Sequence, residues 1–146
     1  MKCKKIINMK RLLLIALLLI GNLVFAQEWI NDDTFDETIT PNNAFGDDNS
    51  EIIIIEFYAG FNKDNAFKEW KKLDDLDGVN YYRIDLATSP RLKKELRIRM
   101  APTILIYSKG DAYIKFTAKA GLDLKCPVDY PKMLRAIAVV KEESQY

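Results

Sequence analysis

The chain has 146 residues, 49% hydrophobic and 29% charged, enough for one domain of ordinary size. Its formal charge of +1 is unevenly spread: the first 26 residues hold five of the 22 bases and none of the 21 acids, so the remainder carries 17 bases against 21 acids, a net of −4. That balance lacks the basic footprint of general nucleic-acid binding, and the absence of histidine excludes a Cys/His or Ser/His catalytic site.

Lys2, Lys4, Lys5, Lys10 and Arg11 precede the apolar run Leu12–Ile20. Gly21-Asn22 break that run, and Val24-Phe25-Ala26 offers a cleavage site before Gln27. This is the pattern of a secretory signal peptide over residues 1–26, followed by one domain over 27–146. Met9 is an alternative start, since Lys10-Arg11 would still supply the basic region. An uncleaved anchor is the other reading, but nine apolar residues fall well short of the about 20 that a spanning helix needs. The expectation is an exported protein, periplasmic or secreted, with no membrane insertion once the signal is cleaved. Gln27, not a cysteine, stands directly after the cleavage site, so lipid attachment there is not expected. Cys3 lies in the removed segment, which leaves Cys126 without an internal disulfide partner. It reads either as a small, part-buried loop residue or as an intermolecular or reactive thiol.

Glu28-Trp29-Ile30 suits a short first strand. Asn31 to Ile39 reads as a helix start, with an Asn/Asp cap, acids in the first turn, and Phe35 and Ile39 sharing an apolar side. Residues 28–51 hold eight acids and no base, a solvated surface. Pro41-Asn42-Asn43 and Gly46-Asp47-Asp48-Asn49-Ser50 are loop chemistry. Ile52-Ile53-Ile54-Ile55-Glu56-Phe57-Tyr58 predicts a central strand buried on both faces, interrupted by one acid. It ends at Ala59-Gly60, and a helical pattern begins near Asp64. Ala66, Phe67, Trp70, Leu73 and Leu76 predict a short helix whose apolar side is core, with Lys68, Lys71, Lys72 and Asp75 on the other side. Asp77-Gly78 ends it.

Val79 to Asp85 is the next strand. Thr88-Ser89-Pro90 caps a helix through Leu92 and Leu96. Arg91, Lys93, Lys94, Arg97 and Arg99 make the one basic patch there, a solvated face. Arg99 to Tyr107 leads into another strand. Ser108-Lys109-Gly110-Asp111 is a hairpin turn, and Ala112 to Phe116 is the partner strand. Pro131 starts a terminal helix with Leu134, Ile137 and Ala138 on one side, flanked by Met133 and Val140. There are no internal repeats and no second domain.

Three passages carry a resemblance. Glu56-Phe57-Tyr58-Ala59-Gly60-Phe61-Asn62-Lys63-Asp64-Asn65 resembles the active-site segment of the thioredoxin family, of the protein disulfide isomerase type as well: strand, acid, Phe, aromatic, Ala, x, aromatic, Cys-x-x-Cys, helix. Asn62 and Asn65 stand in the two cysteine positions. The phrase from Asn31 to Ile39 is similar to the opening of thioredoxin domains. Met100-Ala101-Pro102-Thr103 is similar to the family's x-Pro-Thr segment, in which the proline is cis and opens the fourth strand. The resemblance covers about residues 28–142. It implies an α/β thioredoxin fold, with a central mixed five-stranded sheet flanked by about four helices and a cis-Pro before the fourth strand.

The family reaction needs a thiolate at a helix N-terminus and a second thiol one turn on. Asn62 and Asn65 supply neither. The interval from Ala59 to Trp70 is short against the family pattern. Glu56 stands where the family has a buried acid, and such a carboxylate must be hydrogen-bonded or protonated. Tyr81, at a position where some relatives have lysine, is one partner; partial solvation through the shortened loop is the alternative. After the hairpin, Lys119 to Val128 is longer than the family's connection, its expected glycine is replaced or displaced (Ala118 or Gly121), and Cys126-Pro127 in that extension is not expected to reach the place of the missing pair.

Three functional expectations follow. The first is an exported, redox-inactive module of the cell envelope that keeps the family's peptide groove for a protein or peptide partner. There Ala101 offers its N–H and C=O beside Pro102, Phe61 and Met100 are apolar walls, and Asn62 and Asn65 add amide hydrogen bonds. The second is a degenerate thiol–disulfide oxidoreductase using Cys126. The third is a structural subunit of an envelope complex, tied through Cys126 or the basic helix. No catalytic residue, cofactor, metal or nucleic-acid partner is expected in the first reading.

The signal-peptide reading has a direct check. Intact mass of the protein from its native host is expected to match a chain beginning at Gln27; a mass that includes Leu12–Ile20 would mean an anchored protein.

Overall fold

A computed structural model describes residues 28–40, 52–119 and 124–146. The expected signal segment, the expected turns at 41–43 and 46–50, and Gly121 lie outside the described residues.

Strand β2 (Ile52–Tyr58) is the centre of the fold. β1 (Glu28–Ile30), β3 (Val79–Asp85), β4 (Thr103–Ser108) and β5 (Asp111–Thr117) complete a five-stranded sheet of order β1-β3-β2-β4-β5. β3 runs parallel to both β1 and β2, whereas β4 is antiparallel to β2 and β5 to β4. The β4–β5 hairpin turns through Lys109 (φ 52°) and Gly110 (φ 86°). Two consecutive positive φ angles give the primed turn that matches strand twist, and glycine takes the second at no steric cost.

Side chains alternate across a strand, so β2 builds two cores. Ile53, Ile55 and Phe57 pack with Phe35 of helix α1 (Phe35–Ile39), Leu92 of helix α2 (Pro90–Glu95), Ile84 and Leu105. Ile52 and Ile54 pack on the other face with Met133, Ile137 and Val140 of helix α3 (Tyr130–Glu143) and with Phe67, Trp70 and Leu73. Glu56 has the parity of Ile52 and Ile54, so its carboxylate enters this second layer.

The helix ends are capped as well from a distance as locally. Asp129 accepts from the Lys132 N–H at 2.8 Å and caps α3. Asp32, 59 residues earlier, accepts from the Arg91 and Leu92 N–H groups at 3.0 Å each and caps α2. The buried side of α3 comprises Met133, Ala136, Ile137 and Val140. This corrects the expected side, since Ala138 is exposed and Leu134 only half-buried.

The largest departure from expectation lies between β2 and β3. The predicted helix over 66–76 is replaced by two short 3-10 segments, Gly60–Asn65 and Trp70–Leu73, joined by extended backbone that begins at Ala66 (φ −63°, ψ 154°). Phe67, Trp70, Leu73 and Leu76 recur every three residues, which is the period of a 3-10 turn rather than of an α-helix. The Phe67 N–H is also withdrawn from any helical ladder, because it donates to Glu56 Oε2 at 2.7 Å.

Candidate functional site

β2 delivers Glu56 beneath the turn that follows it. The side chain is fully buried (0% exposed), and both oxygens are occupied: Oε2 accepts from Phe67 N–H and Oε1 from Arg83 Nε, each at 2.7 Å. Glu56 and Arg83 are direct partners in the parallel β2–β3 register. The guanidinium carbon of Arg83 in turn lies 5.4 Å from the Trp29 ring centre and 4.8 Å from that of Tyr58. Burial pushes the Glu56 carboxyl above its ordinary value, against the opposing pull of Arg83 and the Phe67 N–H. The expected pairing with Tyr81 does not occur. The Tyr81 hydroxyl donates to Asp74 Oδ1 at 2.8 Å, and burial with Asp74 raises its pKa to about 12. Nor is Glu56 solvated.

Above Glu56, the first 3-10 segment turns Asn62 inward. Its Nδ2 donates to Ala101 O at 2.6 Å and to Leu124 O at 3.1 Å, while its Oδ1 accepts from Asn65 Nδ2 at 2.7 Å. The two asparagines in the cysteine positions are therefore joined to each other by a hydrogen bond. Through Asn62 they are joined to the segment before β4 and to the one before α3. The Ala101–Pro102 peptide bond is cis. Thr103 Oγ1 donates to Met100 O at 2.6 Å, and Pro102 O accepts from Ala118 N–H at 3.1 Å.

The structure thus brings Asn62, Asn65 and Ala101 together with Pro102. It modifies the expected groove in two respects. Ala101 is 4% exposed and its carbonyl is already bonded by Asn62, so it is not an open acceptor. Phe61 projects into solvent at 83% exposure and forms no closed wall. Met100 is half-buried.

Cys126 corrects a further expectation. The 124–128 segment does reach the place of the missing cysteine pair. Leu124 O bonds Asn62, and Cys126 lines a shallow depression of about 360 Å³ together with Asn65, Phe67 and Val128. The thiol donates to Val128 O at 3.2 Å. Burial raises its pKa, with Glu56 and Asp129 adding to the effect against the Val128 contact. Such a thiol is a poor nucleophile. Among the described residues no cluster of metal-ligating side chains occurs, and no helix is long and apolar enough to cross a membrane.

Arg83 and Leu124 were missed by sequence reasoning. Arg83 had a signal: it is the fifth residue of β3, as Glu56 is of β2, and the parallel register sets the two side by side. Leu124 had none.

The fold and this site define a thioredoxin-like domain without the Cys-x-x-Cys pair. No family model matches the chain and no curated protein sequence does. Solved structures do. The chain is similar to the thioredoxin of Plasmodium falciparum (TM-score 0.57, 14% identity, covering 78% of this chain and 98% of that one). It is similar also to thioredoxin f2 of Chlamydomonas reinhardtii (TM-score 0.54, 16% identity, 81% and 96%) and to the thioredoxin of Malassezia sympodialis (TM-score 0.53, 18% identity, 78% and 90%).

Two measurements test the geometry. Replacing Asn62 by Ala is expected to lower unfolding free energy by about 1–2 kcal/mol, because the hydrogen bonds it donates to the Ala101 and Leu124 carbonyls are lost. Asn62→Asp is expected to lower it further, since a carboxylate sets acceptor against acceptor; urea midpoints read both. For Glu56, a folded-state pKa raised above 4.5 means that the folded protein binds the proton more tightly. That contribution is fully present below 4.5 and lost as pH rises through the folded value. The stability of the wild type relative to Glu56→Gln is therefore expected to fall as pH rises above 4.5, measured by urea unfolding at a series of pH values.

Proposed function

We propose that the chain is an exported, redox-inactive thioredoxin-like module that binds a protein or peptide partner in the cell envelope. The observation that carries this reading is the Asn62–Asn65 hydrogen bond at the cysteine positions. It supports a site that keeps its shape while lacking a nucleophile. Phe61 supplies a large apolar contact on the same turn, beside the segment of Met100, Ala101 and Pro102. An extended partner would pair through the Ala101 N–H, with Phe61 as the apolar anchor.

A second reading, thiol exchange by Cys126, draws on the position of that thiol beside Asn65. Its raised pKa weighs against it, because exchange proceeds through the thiolate.

Disulfide reduction of insulin separates the two. The native chain is expected to show no turnover above the uncatalysed reaction, and Cys126→Ser to leave that result unchanged. Turnover abolished by Cys126→Ser would establish the second reading instead. Chemical-shift mapping with extended peptides tests the binding surface: shifts are expected at Phe61 and Ala101. Shifts confined to the basic 91–99 segment would replace this surface with an electrostatic docking face.

A further inference from the structure

We propose that a second surface, the groove between the two 3-10 segments and β3, takes an acidic segment of a partner protein that carries an aromatic side chain. The groove is open, with a volume of about 650 Å³. Trp70 and Tyr81 line it as a stacked pair, with ring centres 5.0 Å apart and planes 23° from parallel. Tyr58 and Arg83 line it beside them, held in their own cation–π contact. An incoming aromatic ring therefore meets the exposed parts of Tyr58 and Tyr81, rings already held in place by Arg83 and by the buried Trp70, with little side-chain entropy left to lose.

The charge of the groove selects the rest of the ligand. Lys72 is paired with Glu69 and Arg83 with Glu56. Among the described residues Lys63, Lys68 and Lys71 form no ion pair, and all three are exposed. Against them the lining offers one further acid, Asp64. A local positive surplus thus sits on a domain that is net −4. A short acidic segment gains from the lysines without meeting the rest of the surface, whereas a long polyanion such as nucleic acid meets the negative remainder.

This surface extends the binding-module reading to a second site, and the two fail separately. The mature chain is titrated with three synthetic peptides of equal length: glutamate-rich with a central phenylalanine, the same with lysine for glutamate, and the glutamate-rich one with a central alanine. The expected result is saturable binding of the first, weaker binding of the third and none of the second, with shifts at the Trp70 indole and Tyr81. Affinity should drop with added salt and fall at least about fivefold in Lys68→Glu/Lys71→Glu. Those two lysines are exposed, and circular dichroism verifies that the double variant folds. The proposal is overturned if the lysine peptide binds equally well, or if the double variant binds like the wild type. It is overturned too if a single-stranded oligonucleotide binds more tightly than the acidic peptide, or if peptide shifts appear at Phe61 and Ala101 while the groove stays silent.

Discussion

Glu56 interrupts a strand that is otherwise hydrocarbon, and a carboxylate with no exposed surface must find partners or give up its charge. It finds two from different parts of the chain. Arg83 comes from the neighbouring strand in register, which aligns β2 and β3 by chemistry as well as by backbone pairing. The Phe67 N–H comes from the connection between those strands, and its hydrogen bond ties that connection to β2. Arg83 cannot retreat fully into solvent either: its side chain is 18% exposed and lies against the Trp29 and Tyr58 rings. One buried acid thus links β2, β3 and the 60–73 connection.

Redox-active members of this fold close their site by covalent chemistry. Here the same positions are closed by amides. An asparagine differs from a cysteine in carrying both donors and an acceptor, and Asn62 uses all of that capacity: two carbonyls accept from its Nδ2, and its Oδ1 accepts from Asn65. Hydrogen bonds of this kind are individually modest, but they tie three segments that are far apart in the chain. The result is a turn tied by amide hydrogen bonds to two distant segments, with no cysteine at either of the two positions. The thiol of Cys126 lines the same shallow depression as Asn65, and burial, with Glu56 and Asp129, raises its pKa. Position alone does not make a nucleophile; the electrostatic surroundings must favour the thiolate.

The surface around this closed site is unusually differentiated for a small domain. Phe61 stands nearly free of the protein on one side of the turn. On the other side, stacked rings and unpaired lysines form a groove whose charge is opposite to that of the domain as a whole. Both features depend on the connection between β2 and β3 being short and 3-10, since a longer helix over 66–76 would bring a different set of side chains to the surface.

Much of the fold was legible in the residues. The run of four isoleucines before Glu56 announces a central strand buried on both faces, and Lys109-Gly110 announces a hairpin; both depend on local conformational preference, which the sequence states directly. The loss of the cysteine pair is equally plain from Asn62 and Asn65. The 3-10 segments were half-legible: the spacing of Phe67, Trp70, Leu73 and Leu76 contains a period of three, but nothing local tells it from an irregular helix until Glu56 claims the Phe67 N–H. The partner of Glu56, the carbonyls that Asn62 bonds, and the approach of Cys126 to that turn were decided only by the tertiary structure. Each joins residues separated by 11 to 62 positions, and such contacts follow from how strands register and loops pack, which no single stretch of sequence encodes.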